Sequence, residues 1–321
     1  DHQALADLLE EIGDPDLIEL TGWDPADLDE LLEGSGTDDD DESDDADPDS
    51  TPIPLNPVSR FGDLWILGRH RLLCGDSTDI TAIEKMLNGA QADCMWTDPP
   101  YGVGYVGKTE DSMTIKNDTA QDLQSLLAGA FSVATVVLKF GMPVYVACPP
   151  GDLQRVFINA FDQSGWTFRQ SLVWAKNKFV MGHNDYHYRH ELIMYGFTAG
   201  GKGHLGRGGV NWHGDNAQDS IFEVERPTRN RDHPTMKPVA LVSSMLKNSC
   251  PRGGIVYDAF GGSGSTLIAA HLLGIRAMIV ELEPRYVDVI CSRFQKFTGI
   301  IPELLLENGT YEQHDFIDES R

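Results

Sequence analysis

The chain of 321 residues carries 50 acidic against 25 basic side chains, a formal net charge of −25, and is long enough for one large or two ordinary domains with a real core. No apolar stretch approaches the roughly 18 residues of a membrane span and no signal peptide is visible, so no spanning helix is expected. The five cysteines (Cys74, Cys94, Cys148, Cys250, Cys291) are scattered without a Cys-x-x-Cys pair, which argues against a zinc site or a disulfide framework and fits a reducing, cytoplasmic setting.

The charge is unevenly placed. Residues 1–50 hold 21 acids and no Lys or Arg, leaving 29 acids against 25 bases in the rest. Between Trp166 and Arg231 the balance reverses to 9 bases against 6 acids. The acidic total therefore describes the tail and does not exclude a nucleic-acid partner for the body. The sequence starts at Asp1 rather than Met, so upstream sequence is expected.

Taken in chain order, residues 1–34 show two short amphipathic helical patterns, the second opened by Asp24 and Pro25 and closed by Gly34. Residues 35–53 are a charge run with almost nothing apolar, the composition of a disordered linker. From residue 54 to the end the text is α/β. "LWILG" and "HRLLCG" predict a hairpin, "TAIEKMLNG" a helix closed by Gly89, and "ADCMWT" a strand. A long helix, the buried strand "MPVYVAC" and a helix ending at Gly165 follow, then the strand pair "FRQSLVWAK" and "HELIMYGF". Residues 200–232 are rich in Gly, Arg, His and Asn. "PVALVSSMLKNSC" predicts a helix, "GGIVYDAF" a strand, "STLIAAHLLG" a helix, "RAMIVELE" a strand and "RYVDVICSRFQKFTG" a helix. Such alternation implies a Rossmann-like α/β fold, a mostly parallel sheet with helices on both faces.

Two stretches stand out. In "CMWTDPPYGVGY" the prolines lack amide donors and restrict the residue before them, so the strand ends and Asp98 to Tyr101 form a rigid lip at its carboxyl end. That is where open α/β sheets bind ligands. In "VYDAFGGSGSTLIAA" a strand meets a glycine-rich turn and then a helix; Gly261, Gly262 and Gly264 permit tight turns and close approach of a ligand. The lysine of a P-loop is missing and G-x-G-x-x-G is not matched. Glu281 ends the next strand, where an acid can accept hydrogen bonds from ribose hydroxyls. Together these features predict a nucleoside-bearing cofactor.

From Phe61 to Thr298 the sequence resembles the N6-adenine/N4-cytosine DNA methyltransferases that use S-adenosylmethionine, in the circularly permuted β-type motif order. "DPPY" at Asp98–Tyr101 matches the catalytic motif and "DAFGGSGST" at Asp258–Thr266 the cofactor motif. "HPTMKP" at His233–Pro238 and "CGDS" at Cys74–Ser77 match accompanying motifs. Ala259 and Val280 depart from the usual Pro and Gly, and neither removes a functional group. Residues 1–34 also resemble the end of a ParB-like domain of the kind fused to such enzymes in phage.

The resemblance implies roles. The Asp98 carboxylate and Pro99 carbonyl accept hydrogen bonds from the exocyclic amine of a flipped-out base, localising its lone pair toward the methyl group. Pro99 and Pro100 fix the acceptors, and Tyr101 offers a ring for stacking. Asp258, Phe260, Gly261, Gly262 and Gly264 belong to the cofactor motif. Glu281 holds the ribose, Asp76 sits near the adenine end, and Thr235 and Lys237 approach the cofactor carboxylate. Residues 177–232 form an inserted target-recognition region, in which Lys202, Arg207, Arg226, Arg229 and Arg231 grip DNA phosphates. His183, His187 and His190 fit no zinc spacing and no metal is expected. Double-stranded DNA is the expected partner in a restriction-modification or phage context, with a homodimer and an upstream ParB-like domain left open.

Asp98 favours N6 of adenine, because members acting on cytosine N4 more often carry Ser there. Transfer to a protein glutamine typically goes with Asn at that position. A non-catalytic DNA-binding module and an NAD oxidoreductase are the remaining alternatives. Intact DPPY, glycine turn and Glu281 argue against the first, and the missing G-x-G-x-x-G against the second.

Overall fold

The computed structural model describes residues 53–102, 120–177, 185–200, 211–215, 217–224 and 236–317. The helical patterns of residues 1–34 with their ParB-like resemblance, the acidic run up to residue 52, Lys202, Arg207, Arg226, Arg229, Arg231 and Thr235 lie outside them.

The elements in chain order are β1 (Leu64–Leu67), β2 (His70–Cys74), α1 (Ile80–Leu87), β3 (Cys94–Thr97), α2 (Ala120–Val137), β4 (Pro143–Cys148), α3 (Gln154–Gln163), β5 (Thr167–Ala175) and β6 (His190–Phe197). They continue with β7 (Ile221–Glu223), α4 (Val239–Ser249), β8 (Ile255–Asp258), α5 (Ser265–Leu273), β9 (Arg276–Glu281), α6 (Pro284–Thr298), β10 (Glu303–Leu305) and β11 (Tyr311–Gln313). Helix α1 is local chemistry made visible. The Asp79 carboxylate accepts from the amides of Thr81 and Ala82, satisfying donors the first turn leaves open. The helix closes on Asn88 at φ 50°, one residue before the expected Gly89, because Asn tolerates the left-handed region.

The eleven strands among the described residues join one sheet in the order β11-β10-β1-β2-β9-β8-β3-β4-β6-β5-β7. The expected parallel pairing holds for the central five, β2-β9-β8-β3-β4. The flanks depart from it: β1 pairs antiparallel with β2 and β10, and β6 antiparallel with β4 and β5. The β1–β2 and β5–β6 connections return the chain directly rather than through a crossover helix, which only antiparallel pairing allows. The edge strand β7 and the β10–β11 hairpin were not legible, being three residues each.

Helices cover both faces. On β3, Met95 joins the core under α1, α2 and α3 with Ile83, Phe131 and Phe161, while Cys94 and Trp96 point the other way into the core under α4, α5 and α6 with Leu241, Leu267 and Phe294. The same alternation runs along β8, where Val256 faces one layer and Tyr257 the other. A strand buried on both faces must be apolar throughout, which is why β3, β4 and β8 read as continuous runs. Burying a side chain such as Phe131 stabilises by about 1.5–3 kcal/mol.

Topology fixes where a ligand fits. From β3 the chain moves to β4 on one side, whereas from β8 it moves to β9 on the other. The carboxyl ends of the adjacent strands β3 and β8 therefore border the crevice where the winding reverses.

Candidate active site

Both landmarks lie at this crevice. Strand β3 stops at Thr97 because Pro99 and Pro100 cannot extend the ladder. Asp98 follows with 26% of its side chain accessible, and Pro99 is buried. Strand β8 stops at Asp258, and the turn Ala259–Gly264 leads into α5. A Thr97 Oγ1–H donates to Asp258 Oδ1 at 2.8 Å, tying the two strand ends together.

Asp98 sits in a charge cluster that only the fold assembles. Lys237 Nζ donates to Asp98 Oδ1 and Oδ2 at 2.8 and 2.7 Å and meets Glu191 Oε2 at 3.0 Å. The Tyr101 hydroxyl lies 3.2 Å from Asp98 Oδ1 and 3.0 Å from Glu191 Oε2, so its one proton is shared. Glu191 Oε1 takes a second ammonium, Lys176 Nζ, at 2.6 Å. Lys237 Nζ also lies 5.1 Å from the centroid of the Tyr101 ring, within cation–π range, and that ring meets Phe157 edge-on.

The electrostatics follow from burial and pairing. Burial pushes Asp98 above the usual carboxylate range against the pull of Lys237, with Glu191 adding repulsion. Burial also works on Glu191, but the ammoniums of Lys237 and Lys176 outweigh it and hold the acid down at about 2. Lys237 loses hydration, yet its two carboxylates raise it above the usual lysine value. Burial and the same acids push the Tyr101 phenol well up. The neighbouring Cys148 thiol is pushed up to about 12, chiefly by burial, so it stays protonated and is a poor nucleophile.

The glycine turn is shaped by steric need. A side chain on Gly261 would bring its Cβ within 2.6 Å of Ile279 Cγ2, so only glycine lets the turn lie against β9. Gly264 sits at φ 85° as the cap of α5 and offers no side-chain oxygen to the first-turn amides. Glu281 Oε2 accepts from the Gly262 amide at 2.8 Å and Oε1 from the Glu283 amide at 2.9 Å. Burial raises Glu281 to about 7 in spite of these bonds. From α6, the buried Arg293 reaches the turn, donating through Nη1 to the Ser263 carbonyl at 3.1 Å with Met236 Sδ at 3.3 Å. Phe260 packs half-buried against the core on the α1–α3 side.

Two residues expected at the cofactor are engaged by protein groups. Asp258 was expected among the cofactor contacts. It is buried, and its oxygens are occupied by Thr97 Oγ1, the Phe260 amide and Thr266 Oγ1, which makes it an internal brace of the turn; burial raises it to about 7. Lys237 was expected at the cofactor carboxylate. Its ammonium is engaged by three carboxylate oxygens of Asp98 and Glu191, because a buried ammonium is stable only where anions surround it. Asp76 follows β2 and uses Oδ1 to accept from the amide and hydroxyl of Thr78, a turn-capping role, while Gly75 donates to the Glu281 carbonyl beside it.

Sequence reasoning missed Thr97, Lys176, Glu191 and Arg293. Glu191 carried one readable signal: an acid near the start of the otherwise apolar strand β6. Thr97, Lys176 and Arg293 carried none. Across β2, β9, β8 and β3 in sheet order, Asp76, Glu281, Asp258 and Asp98 place one acid at or just beyond each carboxyl end. Such an edge attracts a cation and offers acceptors for hydroxyl and amine donors.

Comparison with known proteins gives a consistent picture. The family model described as DNA methylase matches residues 92–292. The chain is 26% identical over 247 residues to the type II methyltransferase M.HpaI of Haemophilus parainfluenzae, covering 72% of this chain and 76% of that protein. Its fold is similar to that of the M1.HpyAVI–SAM complex, with a TM-score of 0.51 and 17% identity over 70% of this chain and 98% of that one. It is also similar to the cytosine-N4-specific PvuII DNA methyltransferase, with a TM-score of 0.52 and 16% identity over 71% of this chain and 86% of that one.

Proposed function

The chain belongs to the N6/N4 DNA methylase family, and on that premise we propose that it methylates the exocyclic N6 of a flipped-out adenine in duplex DNA. The observation that carries the reading is Asp98, a partly accessible carboxylate held at the carboxyl end of β3 beside the glycine turn of β8. Asp rather than Ser at this position favours adenine over cytosine.

S-adenosylmethionine, when bound, supplies an electrophilic methyl group on a sulfonium centre. The chain has the groups to hold it: a turn flattened by Gly261 and Gly264, uncapped first-turn amides on α5 suited to a carboxylate, Glu281 for the ribose hydroxyls, and an acidic edge matched to a cation. Phe260 and Gly262 complete that wall, and the roles that the motifs imply for Asp76 and Thr235 go with it.

The amine is a poor nucleophile while its lone pair is delocalised into the ring. Asp98 and the Pro99 carbonyl accept its two N–H hydrogens and draw the lone pair out of the ring, an electrostatic effect aimed at the transition state. Methyl transfer would exchange the methyl–sulfur bond for the new N–C bond and leave a neutral thioether, and the amine would lose one proton, for which Asp98, raised by burial, is the acceptor in place. Tyr101 supplies a ring face against the base. Lys237 keeps Asp98 oriented. Residues 54–321 form the methyltransferase domain, and residues 177–232 set the target site, with Lys202, Arg207, Arg226, Arg229 and Arg231 on phosphates. Within that stretch β6 and β7 belong to the main sheet, so selection falls to the rest of it.

The test is to incubate duplex DNA with methyl-labelled S-adenosylmethionine, digest to nucleosides and identify the product. N6-methyladenine is expected. Label in N4-methylcytosine alone would overturn the base assignment, and no label in DNA would overturn the activity.

A further inference from the structure

Glu191 stands on β6, a strand of the sheet interior, where an unpaired carboxylate would be costly. The register pairs Leu192 with Cys148 at the end of β4 and Glu191 with Trp174 on β5. This sets Glu191 just beyond the carboxyl end of β4, beside the lip that follows β3. Its two oxygens divide their work. Oε1 meets Lys176, and Oε2 meets Lys237 and the Tyr101 hydroxyl. Two routes thus connect Glu191 to Asp98, one through the ammonium and one through the phenol. It has no direct contact with Asp98 in either.

We propose that Glu191 is a positioning residue for methyl transfer: it holds Lys237 and the Tyr101 hydroxyl between two carboxylates, so that Asp98 is oriented by the ammonium without being captured by it. The inference rests on the methyltransferase reading above. With Asp98, Glu191, Lys176 and Lys237 all charged, the cluster balances two anions against two cations. A balanced cluster leaves Asp98 an effective acceptor for the amine. Removing the Glu191 charge leaves an excess cation, and Lys237 turns wholly to Asp98. The carboxylate then binds its proton less readily and is harder for the amine to reach. Removing a cation does the opposite. Among the described residues, the charged and titratable groups facing the pair are Tyr101 from the lip, Cys148 from β4, Lys176 just after β5, Lys237 from the segment before α4, and Asp258 from β8.

The experiment measures kcat and KM for duplex DNA against pH, with thermal melting as a folding control. Because Asp98 must be ionised to accept a proton, activity rises with pH through its titration, and this acid limb is the readout. Glu191→Gln should lower kcat by about 10–100-fold with KM little changed, and move the limb to lower pH. Lys176→Met, which does not touch Asp98, should move it to higher pH by leaving Lys237 more firmly held on Glu191. Glu191→Asp should stay near the wild-type limb. If Glu191→Gln does not fold, the Lys176→Met shift carries the test alone. An unshifted limb in Glu191→Gln, or in Lys176→Met where only that variant folds, overturns the inference, whatever happens to kcat. Failure of the wild type to methylate DNA overturns the underlying activity instead.

Discussion

Thr97 and Asp258, 161 residues apart in sequence, are joined by a buried 2.8 Å hydrogen bond between the ends of β3 and β8. Through it the lip carrying Asp98 and the glycine turn share one anchor, so a disturbance at either reaches the other. Asp258 also braces the turn through Phe260 and Thr266.

That anchor has a pH signature. Burial raises Asp258 from 3.8 to about 7, so the folded state binds its proton more readily than the unfolded state does. The stability this contributes is complete below pH 3.8 and is lost as pH rises through about 7. Asp258→Asn cannot titrate. Melting temperatures measured without cofactor from about pH 5 to 8 should show wild type losing ground to Asp258→Asn as pH rises. A constant difference would mean that Asp258 is already ionised across the range.

Replacing Asp98 separates chemistry from cofactor binding. Asp98→Ala should abolish methyl transfer while S-adenosylmethionine affinity stays within about tenfold, since the residue acts on the base. Equilibrium titration reads this directly. Collapse of binding along with activity would make Asp98 a cofactor ligand.

Glu281 gives a pH-dependent affinity. Its carboxyl titrates at about 7, and hydroxyl donors bind the ionised form more strongly. Affinity for S-adenosylmethionine should therefore rise as pH increases through that value in the wild type and stay flat in Glu281→Gln. Above it, the variant should bind weaker by about 1–3 kcal/mol. Parallel profiles in calorimetry would move the ribose site elsewhere.

Deleting the acidic N-terminal stretch tests the charge argument. Residues 1–50 bring 21 negative charges that repel a phosphate backbone over a Debye length of roughly 10 Å. The truncated protein should keep its methylation rate and bind non-specific DNA more tightly at low salt than at high salt relative to the full chain. Loss of activity on deletion would assign the stretch a place on the catalytic body.

What the sequence by itself determined was local in origin. Pro99 and Pro100 had to end β3, Gly261 and Gly264 had to mark a turn, and runs such as Pro143–Cys148 had to be strands covered on both faces. Backbone restrictions and side-chain periodicity act over a few residues, so a reader of the sequence can see them. The tertiary structure alone decided the antiparallel flanks of the sheet, because pairing direction depends on how distant segments dock. It also decided which charges meet. Lys237 and Asp98 are 139 residues apart, and Glu191 and Lys176 join them and Tyr101 only because β6 lies between β4 and β5. A buried charge takes whatever counter-charge the fold brings within about 3 Å, and no local pattern encodes that distance.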